Sequence, residues 1–171
     1  MGSHSVSPWF AIQVAPQCET RVSTLLEYKG YQSFFPTHKV RRRRSDRMKI
    51  LDQPLFPGYV FCRSLGKTDG LIVATPHVIR IVAFGGKPAV VEDWNIDALR
   101  KIGDSEAGSL PCSYSHHIGE HVRIMNGPFS GLTGVLIQTK KQHRLVISID
   151  AIMKSVSVQV DAMDIYPTRW L

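Results

Sequence analysis

Pro54-Leu55-Phe56-Pro57-Gly58-Tyr59-Val60-Phe61-Cys62-Arg63 is the stretch on which the rest of the chain is organised. From Tyr59 to Cys62 every residue is aromatic or suited to a strand, so the segment reads as a strand buried on one face or both. Pro54 and Pro57 cannot donate to a ladder, which starts the strand at about Gly58. Alternation puts Tyr59 and Phe61 on one face and Val60 and Cys62 on the other. One face suffices for a core. The aromatic face is then a candidate for contact with a partner.

On the N-terminal side, Trp9 to Ala15 predicts a first strand that Pro16 ends. Val22, Leu25 and Leu26 recur at helical spacing over 18–29, and Gly30 stands where a helix-ending left-handed residue is expected. Tyr31 to Pro36 predicts a second strand, continuing through Val40 into Arg41-Arg42-Arg43-Arg44, an exposed hairpin arm. On the C-terminal side, a short helix over 68–75 stops before Pro76, and strands at 77–82 and 87–91 flank Phe84-Gly85-Gly86. A helix over 91–102 follows, with Ile96, Leu99 and Ile102 on its apolar stripe and acids in its first turn. Such alternation predicts an α/β sandwich with a mainly antiparallel sheet. Residues 104–116 lack periodicity and read as a flexible linker. Beyond them come short strands at 122–125, 134–137, 145–149 and 156–160, separated by turn residues, which predict a small β-barrel. The expected layout is an N-terminal tail (1–8), a sandwich (9–103), the linker (104–116) and a barrel (117–168).

The 171 residues are 43% hydrophobic and 20% charged, as in folded globular proteins. No apolar run approaches the ~20 residues of a membrane-spanning helix, and no signal-peptide pattern precedes the first strand. Three scattered cysteines argue against a disulfide framework and for the cytoplasm. Net charge is +7, and its distribution matters: residues 1–102 carry 15 Lys+Arg against 8 Asp+Glu, while 103–171 carry 6 of each. The excess belongs to the sandwich, where a polyanion partner is expected, although a solvated face would have the same composition. Leu65-Gly66-Lys67-Thr68 imitates a phosphate loop, but Phe61 occupies the position of the glycine such a loop needs. Cys112, His116, His117 and His121 offer no second Cys pair for zinc, and the carboxylates are scattered. No catalytic residues, metal or cofactor are expected, and the chain reads as a non-enzymatic monomer.

Val122-Arg123-Ile124-Met125-Asn126-Gly127-Pro128-Phe129-Ser130-Gly131-Leu132-Thr133-Gly134-Val135-Leu136 closely resembles a KOW motif. Together with Trp9-Phe10, the Pro54–Phe61 stretch and Phe84-Gly85-Gly86-Lys87-Pro88, it makes the chain resemble the NusG/RfaH family of transcription elongation and antitermination factors. The resemblance spans residues 9–168 and implies an NGN α/β sandwich, a linker and an SH3-like KOW barrel, an α+β protein. Ile79 to Ala89 is similar to a Phe-Gly-x-x-Pro-Ala signature of specialised paralogues that act on long operons.

The family docks its NGN domain on the clamp helices of the RNA polymerase β′ subunit, which implies contacts by Tyr59, Phe61, Ile81 and Phe84. For Phe61 and Phe84 an ordinary core position is the competing reading. Residues 69–77 lie where the family reaches the β subunit, but lack the threonine run of RfaH. Arg41, Arg42, Arg43, Arg44 and Arg47 are expected near upstream or non-template DNA, with Arg21 and Lys29 as further contributors. Ile152 and Met153, at the tip between two barrel strands, are implied to meet a small-subunit ribosomal protein or Rho. Strand-rich composition over 145–160 argues for a barrel instead of a helical hairpin, loosely tethered and leaving the polymerase face open. The alternative is a ribosome- or RNA-associated KOW-domain binding protein.

Overall fold

The computed structural model describes residues 7–44, 47–63, 70–104, 109–112, 119, 121–139, 142–160 and 164–168. The central strand is β1 (Trp9–Val14), and α1 (Glu19–Tyr28) follows it. The helix ends as the sequence predicts. Gly30, at φ 80°, donates to the Glu27 carbonyl and Tyr31 to that of Leu26, closing a Schellman motif. β2 (Gln32–Phe34) leads into the ribbon of β3 (Thr37–Arg44) and β4 (Arg47–Pro54). β5 (Tyr59–Arg63) is the aromatic strand, followed by α2 (Gly70–Val73), β6 (Val78–Ile81), the small hairpin of β7 (Ala83–Phe84) and β8 (Lys87–Pro88), β9 (Val90–Val91) and α3 (Asp93–Asp104).

The sandwich sheet runs β2-β5-β1-β6, with β9 also on β1, and all its pairs are antiparallel. Ile12 pairs with Val60 and Ala11 with Phe61, so strand alternation divides the core in two. Ile12, Val14, Val60 and Cys62 pack with Val22 and Leu26 of α1 and Ile72 of α2. Trp9, Ala11 and Phe61 pack on the other face with Ile96, Leu99 and Ile102 of α3. The turn into β5 needs its glycine: Gly58 sits at φ 82°, its N–H donating at 2.7 Å to the buried Glu19 carboxylate. One buried acid thereby ties the start of α1 to the start of β5.

The second unit is all β. β10 (Ser109–Cys112), β11 (His121–Ile124), β12 (Thr133–Thr139), β13 (Gln142–Ile149), β14 (Lys154–Val160) and β15 (Ile165–Pro167) form an antiparallel sheet in the order β10-β14-β13-β12-β11-β15. Val122, Ile124, Leu145, Ile147, Val156 and Val158 fill its interior. A 3-10 turn, Asp150–Ile152, joins β13 to β14 and closes on Met153 at φ 50°. Two features depart from expectation. Four residues of the segment read as a flexible linker, Ser109–Cys112, are a strand paired to β14. The barrel also lies against the sandwich: the 3-10 turn packs on β1 and β9, and one continuous apolar core runs through both units.

Candidate partner-binding surfaces

The aromatic face is assembled around β5. The Phe61 ring stacks on Phe34 with centroids 6.4 Å apart and meets Phe56 edge-on at 6.3 Å. Phe61 is fully buried, so it supports the face from within and offers no surface to a partner. Tyr59 is half-buried, paired with Gln13 across β1. Ile81 pairs with Ile12 and packs on the α1 side, away from Tyr59. Phe84 stands on the β7–β8 hairpin, 56% exposed. Of the four residues expected together, the fold places Tyr59 and Phe61 on one face, Ile81 on the other, and Phe84 on an exposed hairpin.

A staple of charge and aromatic rings holds α3 to this face. Trp9 Nε1 donates to Asp93 Oδ1 at 3.0 Å, and Arg63 forms an ion pair with the same carboxylate. The Arg63 and Arg100 guanidinium carbons lie 4.9 and 5.7 Å from the Trp9 ring centroid, and Arg100 is 5.3 Å from that of Phe34. Burial, then the neighbouring Arg100, pull the pKa of Arg63 below its ordinary value, while Asp97 opposes the shift. An arginine starts so high that the group stays cationic at neutral pH.

The barrel covers this face with its own cations and apolar groups. Lys154 Nζ lies 5.2 Å from the Tyr59 ring centroid, and Lys101 Nζ of α3 donates to the Ser130 carbonyl at 3.0 Å. Ala151 and Ile152 are buried, whereas Met153 is 65% exposed. The expected exposed tip is therefore half hidden: Ile152 belongs to the joint core and Met153 alone faces solvent. A cleft of about 420 Å³ remains between Val90–Asn95 and the barrel residues Val135, Val146, Ile149 and Asp150. The expectation of a loosely tethered barrel and an open aromatic face is overturned by this packing. The missed signal lies in Val135-Leu136-Ile137 and Leu145-Val146-Ile147, which are apolar on both faces where a barrel with one solvated face would alternate.

Arg41 to Arg44 and Arg47 lie on the β3–β4 ribbon, a separate two-stranded sheet among the described residues. Arg21 is exposed on α1. Lys29 is committed elsewhere: its Nζ donates to the Leu71 carbonyl at 3.1 Å and to Thr75 Oγ1 at 2.8 Å, fastening α1 to α2. Leu71 and Val73 in the expected β-subunit segment are about half exposed. The phosphate-loop imitation at 65–68, as well as His116 and His117, falls outside the described residues. Among the described residues no group of three His, Cys, Asp or Glu could hold a metal ion, and no helix is long and apolar enough to cross a membrane.

An antiparallel α/β sandwich joined to a small β-barrel, with an aromatic strand and a basic ribbon, is the architecture of a two-part binding protein. The family model described as "Transcription termination factor nusG" matches residues 7–100, more than half of the chain. The chain belongs to the NusG family. It is 26% identical over 158 residues to the transcription termination/antitermination protein NusG of Synechocystis, covering 79% of this chain and 76% of that one. To the protein of the same name from Vibrio vulnificus it is 24% identical, over 90% of this chain and 91% of the other. That of Pseudomonas aeruginosa is 29% identical over 74% and 73%. A solved structure described as "Domain interaction in Thermotoga maritima NusG" superposes with a TM-score of 0.51 at 20% identity, covering 95% of this chain and 98% of that one. Membership places this chain among transcription factors.

Proposed function

We propose that this chain is a transcription elongation and antitermination factor of the cytoplasm, a specialised NusG paralogue that docks its sandwich on the clamp helices of RNA polymerase β′ and suppresses pausing or termination. It performs no chemistry itself. The barrel recruits a small-subunit ribosomal protein or Rho through the turn around Ile152 and Met153. The basic ribbon lies on nucleic acid at the complex, close to upstream or non-template DNA.

The observation that carries this reading is Phe84. A phenylalanine more than half exposed on a two-residue strand serves no core, and a desolvated aromatic at the centre of an interface is the kind of residue that dominates binding energy. Tyr59 is the second contact. Because Lys154 overlies its ring, the barrel must withdraw before Tyr59 can be used.

Titration of the full chain against a β′ clamp-helix fragment tests the reading. Phe84→Ala is expected to weaken binding by about 30-fold, the equivalent of ~2 kcal/mol for one interface anchor. Phe84 lies on the β7–β8 hairpin and outside the apolar core shared with the barrel, so its removal leaves that core intact. Affinity unaltered by Phe84→Ala, or recovery from lysate of ribosomes without β′, would reject the assignment.

A further inference from the structure

We propose that the cleft where the sandwich meets the barrel is a binding site for a small organic cation, an amine or amidine carried on a flat apolar body. Bound there, it holds the two units together and keeps polymerase off the aromatic face. That consequence rests on the function proposed above, whereas the site itself does not.

An unpaired acceptor is the first observation. Asn95, in the first turn of α3, lines the cleft and is 6% exposed, yet its Oδ1 has no hydrogen-bond partner among the described residues. A buried acceptor left unpaired bears the full desolvation of that atom, and native folds hold few of them. Alanine at this position would suit the helix better. The amide therefore points to a ligand that brings an N–H.

Shape is the second. The cleft measures about 420 Å³, within the range of small-molecule sites, and lies at a junction between units, where such sites are common. Val90 and Trp94, each about half exposed, stand on its sandwich side, and Val135, Val146 and Ile149 form the barrel side. The Trp94 indole offers a face on which a flat ring or a cation can rest.

Charge selects among such ligands. Glu92 and Asp150, one from each unit and both exposed, are the acids of the cleft, and none of the described lining residues is Lys or Arg. His121 is the remaining ionisable group there. The first turn of α3 also borders the cleft, and its dipole alone would favour an anion. That dipole amounts to about half a charge, and Asp93 already sits on it, so two full carboxylates decide the sign. Because the acids belong to opposite walls, a cation between them favours the closed arrangement over the separated one.

The test uses the full chain and three probes of similar shape: benzamidinium, neutral benzamide and benzoate. Benzamidinium is expected to shift the amide resonances of residues 90–95, 133–135 and 146–151. It should bind about tenfold tighter than benzamide, and benzoate should not bind. Asn95→Ala is expected to weaken benzamidinium roughly fivefold, as for one hydrogen bond, while the urea midpoint stays or rises. A lower midpoint would show the amide to be structural and overturns the site. Glu92→Gln with Asp150→Asn is expected to reduce the preference for benzamidinium over benzamide to about threefold or less. Benzamidinium at about ten times its Kd is expected to weaken binding of the β′ clamp-helix fragment by up to about tenfold. Absent shifts, shifts confined to other residues, equal binding of the three probes, unchanged affinity in Asn95→Ala or an undiminished preference in the double variant each overturn the site. The expected shifts with clamp-fragment affinity unaltered overturn the coupling alone. If the clamp fragment binds under no condition, the proposed function falls and the amide shifts still decide the site.

Discussion

Asp93 shows how much one side chain can organise. Its carboxylate begins α3, accepts the Trp9 indole N–H and pairs with Arg63, so it locks helix, strand and aromatic face together. The carboxylate side is 64% exposed, which screens the ion pair and leaves the hydrogen bond and the first-turn charge as its main contributions. Asp93→Ala is expected to destabilise the sandwich by about 1–2 kcal/mol, read as a lower urea midpoint with unchanged slope. Stability indistinguishable from that of the parent chain would mean that Trp9 is held by packing alone. Sequence patterning finds Trp9 as a strand residue and Asp93 as a helix-start acid. Their mutual bond joins positions 84 apart in the chain, which no local pattern encodes.

At the scale of elements, β1, α1, β5, α3 and the barrel strands were legible because period and punctuation agreed. Gly30 closes α1 and Gly58 opens β5 as their spacing implied. The β3–β4 ribbon was legible only as an arm, since a run of arginines carries no alternation from which the Thr37↔Pro54 to Arg44↔Arg47 register could be read. Ser109–Cys112 was unreadable as a strand: Pro111 within four residues suggests none, yet an edge strand tolerates a proline, and β10 is the edge of its sheet. The KOW-like glycine at 134 has a stricter role. A Cβ there would collide with the Val146 carbonyl and crowd the Leu145 side chain, so β12 and β13 approach closely only because it is absent. Gly134→Ala is expected to destabilise the barrel by on the order of 1–3 kcal/mol, with loss of amide-exchange protection in β12 and β13 while α1 keeps its own. Protection unchanged in the barrel would show that the strands can part at no cost.

Across the whole molecule the decisive feature is that the two faces proposed to bind partners lie against each other. Tyr59 sits beneath Lys154, and Ile152 is 6% exposed within a core shared with Trp9, Val91 and Ile96. A partner that takes either face must first separate the units, so a polymerase fragment on the sandwich and a protein partner on the barrel turn should each favour the other's binding. Composition could not reveal this, because the apolar barrel residues at the junction, Ala151 and Ile152, read equally well as the barrel's own core. Burial of Ile152 is worth about 1.5–3 kcal/mol and the Lys154–Tyr59 contact about 0.5–1 kcal/mol. Replacing both, Ile152→Asp with Lys154→Ala, should shift the balance strongly towards separation. Apparent affinity scales with the competent fraction, so a ~2 kcal/mol shift tightens binding of a β′ clamp-helix fragment by up to 30-fold. Nuclear magnetic relaxation should report joint tumbling of sandwich and barrel in the parent chain and independent tumbling in the double variant. Barrel amide shifts away from the turn are expected to persist, because Leu145, Ile147, Val156 and Val158 are untouched. A double variant that tumbles as one body, or that separates yet binds no tighter, would show that the barrel does not control access to the aromatic face.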